Sequence, residues 1–131
     1  MKQRKIVVDT DIILEHLTVS HGPSVLRRLM SRFFCYTTAF NAIEAFSVAR
    51  GRKEAQAVDE AMSALKVLGL NAKSSKTIGG LFAEGKSRRR KDLPFLIAGI
   101  CVESKLPIVT MNPRRFSGIK GMRVIPVRRV Q

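Results

Sequence analysis

The chain alternates short apolar runs with segments whose apolar residues recur every three or four positions. Ile6-Val7-Val8 is an uninterrupted β-branched run, the pattern of a strand buried on both faces. It stops at Asp9-Thr10-Asp11, after which Ile12, Ile13, Leu14 and Leu17 follow a helical period. His21-Gly22-Pro23 breaks that period, and a second helix is predicted from Ser24 to Arg32, with Pro23 placed for its first turn. Val25, Leu26, Leu29 and Met30 form its apolar face, and Arg27, Arg28 and Arg32 its wet one. Phe33 to Thr38 reads as a second strand and leads into a mostly buried helix from Ala39 to Arg50, ended by Gly51. Lys53 to Leu68 predicts an amphipathic helix, with Ala57, Met62, Leu65 and Leu68 on one side and Glu54, Asp59, Glu60 and Lys66 on the other. Gly69 closes it, and Leu70-Asn71-Ala72 is a candidate third strand. Ser74 and Ser75 can cap a further helix to Glu84, weakened by Gly79-Gly80. An apolar helix follows from Leu93 to Ser104, then a fourth strand at Pro107–Thr110. Met111 to Phe116 reads as a turn or short helix, and a loop flanked by Gly118 and Gly121 leads to a last strand from Met122 to Val127. Strands that alternate with helices from end to end predict an α/β domain around a parallel sheet. Repeats, linkers, low-complexity segments and a Gly-rich phosphate loop are absent from the sequence.

Composition narrows the class. The 131 residues suit a single domain, 1–131, and 45% apolar content excludes a disordered chain. Twenty-four Lys and Arg against ten Asp and Glu give a net charge of +14, which points to a polyanionic partner, nucleic acid before an anionic membrane. No apolar run has the length of a spanning helix, and the apolar part of MKQRKIVVDT is too short for a signal peptide. Cys35 and Cys101 lie in apolar contexts and read as reduced core thiols of a cytoplasmic protein. Their spacing to His16 and His21 does not make a typical zinc site.

The candidate chemistry is acidic. Asp9 and Asp11 fall at the carboxyl end of a buried strand, the edge at which open α/β sheets bind ligands. Capping of the following helix explains one of Asp9, Thr10 and Asp11; a second acid so close is unfavourable unless a cation joins the two. Glu44 is the lone charge between Ala39 and Ala49 and shares a narrow polar stripe with Asn41 and Ser47. That stripe either faces water or needs a partner for its carboxylate. Lys86-Ser87-Arg88-Arg89-Arg90-Lys91 holds five basic residues in six, either a solvated loop or a contact for phosphates. Asp92, directly after it, is open to three readings: helix cap, salt-bridge partner, or ligand of a metal-dependent phosphodiester cleaver.

In their order these motifs resemble PIN-domain ribonucleases, especially the VapC-type toxins of prokaryotic toxin–antitoxin pairs. IVVDTDIILEHL is similar to the opening of that family, NAIEAFSVARGR to its Glu-bearing helix, and KDLPFLIAGICVESKLPIVTMNPRRFSGIKGMRVI to its closing half. The resemblance covers nearly the whole chain. It implies a three-layer α/β/α PIN-like fold with a central, mostly parallel sheet of four to five strands. It also implies a metal-dependent endoribonuclease that hydrolyses RNA phosphodiesters to 5′-phosphate products with Mg²⁺ or Mn²⁺. The family's first three acids fall on Asp9, Glu44 and Asp92, with Asp11 and Thr110 in supporting positions. Its fourth acid, in the turn after the Val-Thr strand, is missing: Met111 to Phe116 holds neither Asp nor Glu, and Asn112 is the nearest oxygen donor. Lys86, Arg88, Arg89, Arg90, Lys91, Arg114 and Arg115 are the candidate RNA-binding cations. The resemblance further implies a homodimer and a cognate antitoxin whose tail reaches the acidic site. Two alternatives stand beside this expectation. One is a PIN-like RNA-binding protein with weak or no cleavage, motivated by the missing acid. The other is a purely structural basic domain, for which Asp9, Glu44 and Asp92 would lie more than about 10 Å apart, far beyond the reach of a shared ion.

Overall fold

The computed structural model describes residues 4–84 and 93–130. The basic run Lys86–Lys91 and Asp92 lie outside the described residues. The elements run β1 (Arg4–Val8), α1 (Thr10–Thr18), α2 (Val25–Met30), β2 (Phe33–Thr38), α3 (Ala39–Val48), α4 (Gly51–Ser63) and β3 (Lys66–Leu68). They continue through α5 (Ala72–Glu84), α6 (Leu93–Ser104), β4 (Ile108–Thr110) and β5 (Val124–Pro126). Short 3₁₀ turns at Pro113–Phe116 and Val127–Arg129 flank β5.

All strand pairs are parallel, in the order β3-β2-β1-β4-β5. The run Ile6-Val7-Val8 is apolar throughout because β1 is central and covered on both faces. Ile6 and Val8 pack with Ile12, Leu26, Leu29 and Val58, from α1, α2 and α4. Val7 faces the other way, with Ile97 and Cys101 of α6, Ile108 and Phe116. These two cores make the three layers. Helices α5 and α6 pack closely at Gly99, where an added Cβ would lie 2.0 Å from Cγ1 of Ile78.

Several boundaries differ from those the sequence predicts. Helix α2 is capped by Ser24, whose Oγ accepts from Arg27 N at 3.1 Å, so Pro23 precedes the cap rather than entering the first turn. Gly51 does not close α3; Ala49 turns the chain in an extended conformation, and Gly51, at φ +74°, opens α4. The predicted Lys53–Leu68 helix stops at Ser63, and its last three residues are instead the edge strand β3, paired with Tyr36, Thr37 and Thr38. Leu65 and Leu68 continue the helical spacing of Met62, but pairing with β2 overrides that local signal. Leu70–Ala72 is no strand: Asn71 caps α5, its Oδ1 accepting from Ser74 N while its own N donates to Ser74 Oγ. The last strand is shorter than predicted, with only Val124–Pro126 pairing to β4.

Helix α3 departs furthest from expectation. Its apolar residues were expected inside, yet Ile43, Phe46 and Val48 are 57%, 41% and 55% exposed. The inward positions are Asn41 and Ala45. Part of the polar stripe therefore points toward the sheet, and the apolar face points out.

Candidate active site

Strand β1 has β2 on one side and β4 on the other, so the chain reverses its direction of travel across the sheet at the β1–β4 pair. Ligand sites of open α/β sheets form at the carboxyl ends of strands at such a point. Asp9 ends β1 and Thr110 ends β4, tied by a backbone bond from Asp9 N to Val109 O at 3.0 Å.

Asp9 does cap α1, its Oδ1 accepting from Thr10 N at 2.8 Å, but capping accounts for one of its bonds. The same oxygen accepts from Asn41 Nδ2 at 3.0 Å and from a guanidinium nitrogen of Arg115 at 2.9 Å. Its Oδ2 accepts from the Thr110 hydroxyl at 2.8 Å. The carboxylate is 1% exposed. Burial pushes its pKa above the ordinary carboxylate value, and Asp11 adds to the rise; Arg115 and the bonds from Thr10 and Thr110 pull against it.

Glu44 enters the cluster from α3. One oxygen accepts from Thr10 Oγ1 at 2.5 Å and the other from Arg115 at 2.6 Å. Asn41, one turn earlier, ties the two acids together: its amide donates to Asp9 and to Thr10 Oγ1, 2.9 Å away. Its Oδ1 accepts from Thr38 in a capping box. Ser47, the third residue of the stripe, is exposed and donates to the Glu44 carbonyl instead. Asp11 reaches the cluster through Oδ2, which accepts from Thr110 Oγ1 at 3.0 Å and Met111 N at 2.9 Å. Its other oxygen, Oδ1, is buried without a hydrogen-bond partner.

The structure thus gathers Asp9, Asp11, Glu44 and Thr110 at one edge, with Asp9 and Glu44 both within 2.9 Å of a single guanidinium. Asn112 is exposed; it contributes its backbone N–H to Thr110 at 3.0 Å, and its side chain does not cap the 3₁₀ turn it precedes. The residue of that turn that reaches the acids is Arg115. Sequence reasoning grouped it with the RNA-contacting cations, whereas here it is ion-paired to Asp9 and Glu44. Phe116, 2% exposed and packed beside Val7 and Ile108, anchors the turn, with the Arg115 guanidinium 5.5 Å from its ring centre. Burial opposes the charge of Arg115, but the Glu44 bond and the neighbouring carboxylates outweigh it and raise its pKa further. The roles of Thr10 and Asn41 were also missed. Their signal was available: a Thr between two acids, and an Asn one turn before the lone Glu of an apolar helix.

Among the described residues, no group of three or more His, Cys, Asp or Glu side chains stands ready to hold a metal ion. The donor set is nonetheless all oxygen, as a hard divalent cation requires, and the unpartnered Asp11 Oδ1 is an acceptor still to be satisfied. The residues present fit such an ion in kind, while Arg115 occupies the oxygens that two of them would use.

No family model matches the chain, and no curated protein matches it in sequence. Solved structures do match in fold. A chain of DNA-bound VapBC from Salmonella typhimurium superposes with a TM-score of 0.76 at 22% identity, over 95% of this chain and 98% of that one. VapBC2 from Rickettsia felis, bound to a fragment of its promoter DNA, gives 0.75 at 20% identity over 93% and 98%. VapBC-1 from nontypeable Haemophilus influenzae gives 0.76 at 16% identity over 95% and 98%. The five-stranded parallel sheet with helices on both faces is the PIN-like fold of these toxin–antitoxin structures.

Proposed function

We propose that this chain is a VapC-like toxin that cleaves RNA at the carboxyl ends of β1 and β4. The convergence of Asp9, Asp11 and Glu44 at the switch point carries this reading, because a structural domain gains nothing from gathering three carboxylates, one of them 1% exposed, at a single edge. Asp9, Asp11 and Glu44 would hold a Mg²⁺ or Mn²⁺ ion, joined by Asp92 from outside the described residues and, weakly, by Asn112. When bound, such an ion supplies Lewis-acid stabilisation and an activated water for phosphodiester hydrolysis. The chain's own residues prepare the site. Thr110 aligns Asp9 with Asp11, and Asn41 with Thr10 fixes Glu44 against Asp9. The excess of 24 cations over ten acids supports a polyanionic substrate. Lys86, Arg88, Arg89, Arg90, Lys91 and Arg114 are the candidates to gather its phosphates, and about five such contacts give a log–log salt slope of roughly −3 to −4 on single strands.

An antitoxin partner is part of the same proposal, since the matching structures are of VapBC complexes. The outward apolar residues Ile43, Phe46 and Val48 of α3 support a protein contact, with the antitoxin or with a second copy in a homodimer. Arg115, paired where an ion would need to bind, favours a second reading: an RNA-binding protein without cleavage.

A labelled RNA pool incubated with Mn²⁺ or Mg²⁺ separates the two, with EDTA, Asp9→Asn and Asp92→Asn as controls. Metal-dependent cutting that both variants lose is the expected result. Salt-sensitive binding without cutting selects the second reading, and neither binding nor cutting refutes both.

A further inference from the structure

Arg115 holds both ion pairs found among the described residues, in a chain carrying 24 Lys and Arg. Its guanidinium spans Asp9 Oδ1 and Glu44 Oε2, at 2.9 and 2.6 Å, and so occupies oxygens that a divalent ion would need. Asp9 Oδ1 receives Thr10 N, Asn41 Nδ2 and Arg115 together, so an ion drawn to that carboxylate would meet the guanidinium charge directly. Direct coordination at about 2.0–2.1 Å requires the guanidinium to leave. Three carboxylates against one Arg leave the described cluster two formal charges negative, and Asp11 Oδ1 stays without a partner. The cluster therefore still attracts a cation that Arg115 excludes.

We propose that Arg115 is a resident counter-ion that closes the acidic edge to divalent metal, and that an incoming RNA phosphate opens it. The proposal rests on the nuclease reading above. Two features make the exchange feasible. The Arg115 side chain is 19% exposed while Asp9 beneath it is 1% exposed, so the guanidinium lies on the solvent side of the carboxylate it covers. A phosphodiester also presents paired oxygens that match the guanidinium fork, so the Arg can trade one bidentate anion for another with little loss. Once it has moved to the backbone, Glu44 Oε2 would lose its Arg115 partner and Asp9 its covering charge, leaving both carboxylates open to a divalent ion. Metal and RNA then promote each other's binding, and by linkage the effect is the same measured from either side. In the absence of RNA the site remains closed, which keeps a basic protein with a hydrolytic edge from loading metal idly.

The test measures Mn²⁺ affinity by calorimetry and electron paramagnetic resonance, with and without a single-stranded 2′-O-methyl oligonucleotide. Oligonucleotide alone gives the background, and its integrity is checked after each titration. Wild-type protein is expected to bind Mn²⁺ at least about tenfold more tightly with the oligonucleotide. Arg115→Gln is expected to reach comparable affinity without it, and to gain less than about threefold when it is added. Arg115→Lys keeps the charge but lacks the planar fork whose two nitrogens reach Asp9 and Glu44 separately, and should fall between. The wild-type comparison needs no variant and stands even if Arg115→Gln folds poorly, which circular dichroism reports. Equal, Asp9-dependent Mn²⁺ binding by wild type and Arg115→Gln without oligonucleotide overturns the gate and leaves the metal site standing. Coupling that persists in Arg115→Gln also overturns the gate. Absence of Mn²⁺ binding by every form, with or without oligonucleotide, overturns both the gate and a metal-dependent nuclease.

Discussion

Thr110 is the most direct test of whether the acidic edge is a strained electrostatic site or ordinary strand packing. It ends β4, is fully buried, and places its hydroxyl 2.8 Å from Asp9 Oδ2 and 3.0 Å from Asp11 Oδ2. The hydroxyl has one proton for two carboxylates, so it donates to one at a time while accepting from Asn112 N at 3.0 Å. Thr110→Val keeps the shape and removes that donor. Asn112 is exposed and its N–H can turn to water, and Asp11 Oδ2 retains Met111 N; Asp9 Oδ2 has no comparable replacement. Losing a hydrogen bond to a buried charge costs about 1.5–3 kcal/mol, and the better burial of a methyl than a hydroxyl offsets a fraction of it, leaving about 2 kcal/mol. For a domain of this length that lowers Tm by roughly 6–10 °C. Thr110→Ser removes one methyl and keeps the donor, at about 1 kcal/mol. Urea unfolding at pH 7 in EDTA should therefore rank wild type above Ser above Val. A buried strand without the charge predicts the reverse order of the two variants, because Val is the better strand former. Val equal to or more stable than Ser would refute the assignment of Thr110 as donor to a buried carboxylate. Repeating Thr110→Val in an Asp9→Asn background, where the charge is gone, should shrink its effect to about 0.5 kcal/mol or less.

Gly99→Ala should destabilise by about 1–3 kcal/mol despite the helix propensity of Ala, because its Cβ would lie 2.0 Å from Ile78 Cγ1; in an Ile78→Ala background, denaturant unfolding should show most of the penalty gone, the remaining contact being with the residue-78 Cβ at 3.2 Å. Asp9 titrates above its ordinary 3.8 in the fold because of burial, so the native state binds its proton more readily than the unfolded chain does. The stability of wild type relative to Asp9→Asn should then fall as pH rises from about 3.8 through the raised native value and flatten beyond it; a rise over that window would mean that Arg115 outweighs desolvation. Burial pushes Cys35 to about 11 and Cys101 to about 12, so maleimide labelling at pH 8 should be slow in the fold and follow the rate of opening.

The architecture was legible because β1 and α6 are read from strong local signals that the tertiary structure does not contest. An unbroken β-branched run is buried on both faces, and the predicted Leu93–Ser104 helix is observed with those bounds. The errors fall where two signals overlap. Leu65 and Leu68 continue the helical period of α4 while Lys66–Leu68 also suits a short strand, and the choice is made by β2, whose edge is free to pair. In α3 the sequence shows one polar stripe on an apolar helix, but not which side meets the sheet. The answer depends on Asn41, whose buried capping box with Thr38 and bond to Asp9 turn the stripe inward and leave Ile43, Phe46 and Val48 outside. An apolar composition thus misled as to burial, because an exposed apolar face has the same residues as a core.

Arg115 shows a different limit. Counted with the other cations it is one contribution to +14, and a net charge describes a field around the molecule that any of them can supply. What separates it is position: it stands directly before Phe116, whose ring is fixed in the core, on a turn leaving the strand that ends in Thr110. An Arg held there has the buried carboxylate of Asp9 within reach, and a pair with a 1% exposed acid is of a different order from a solvated one. The missing acid in Met111–Phe116 and the Arg in the same turn are therefore one observation. Removing a carboxylate and adding a guanidinium changes the local charge by two, so this edge is closer to neutral than four acids would make it. On the proposed reading, its affinity for a divalent ion would be correspondingly lower until something draws Arg115 away. The excess of cations elsewhere on the chain favours that something being a polyanion, since a phosphate backbone concentrated at the surface is the ligand best able to compete for a guanidinium.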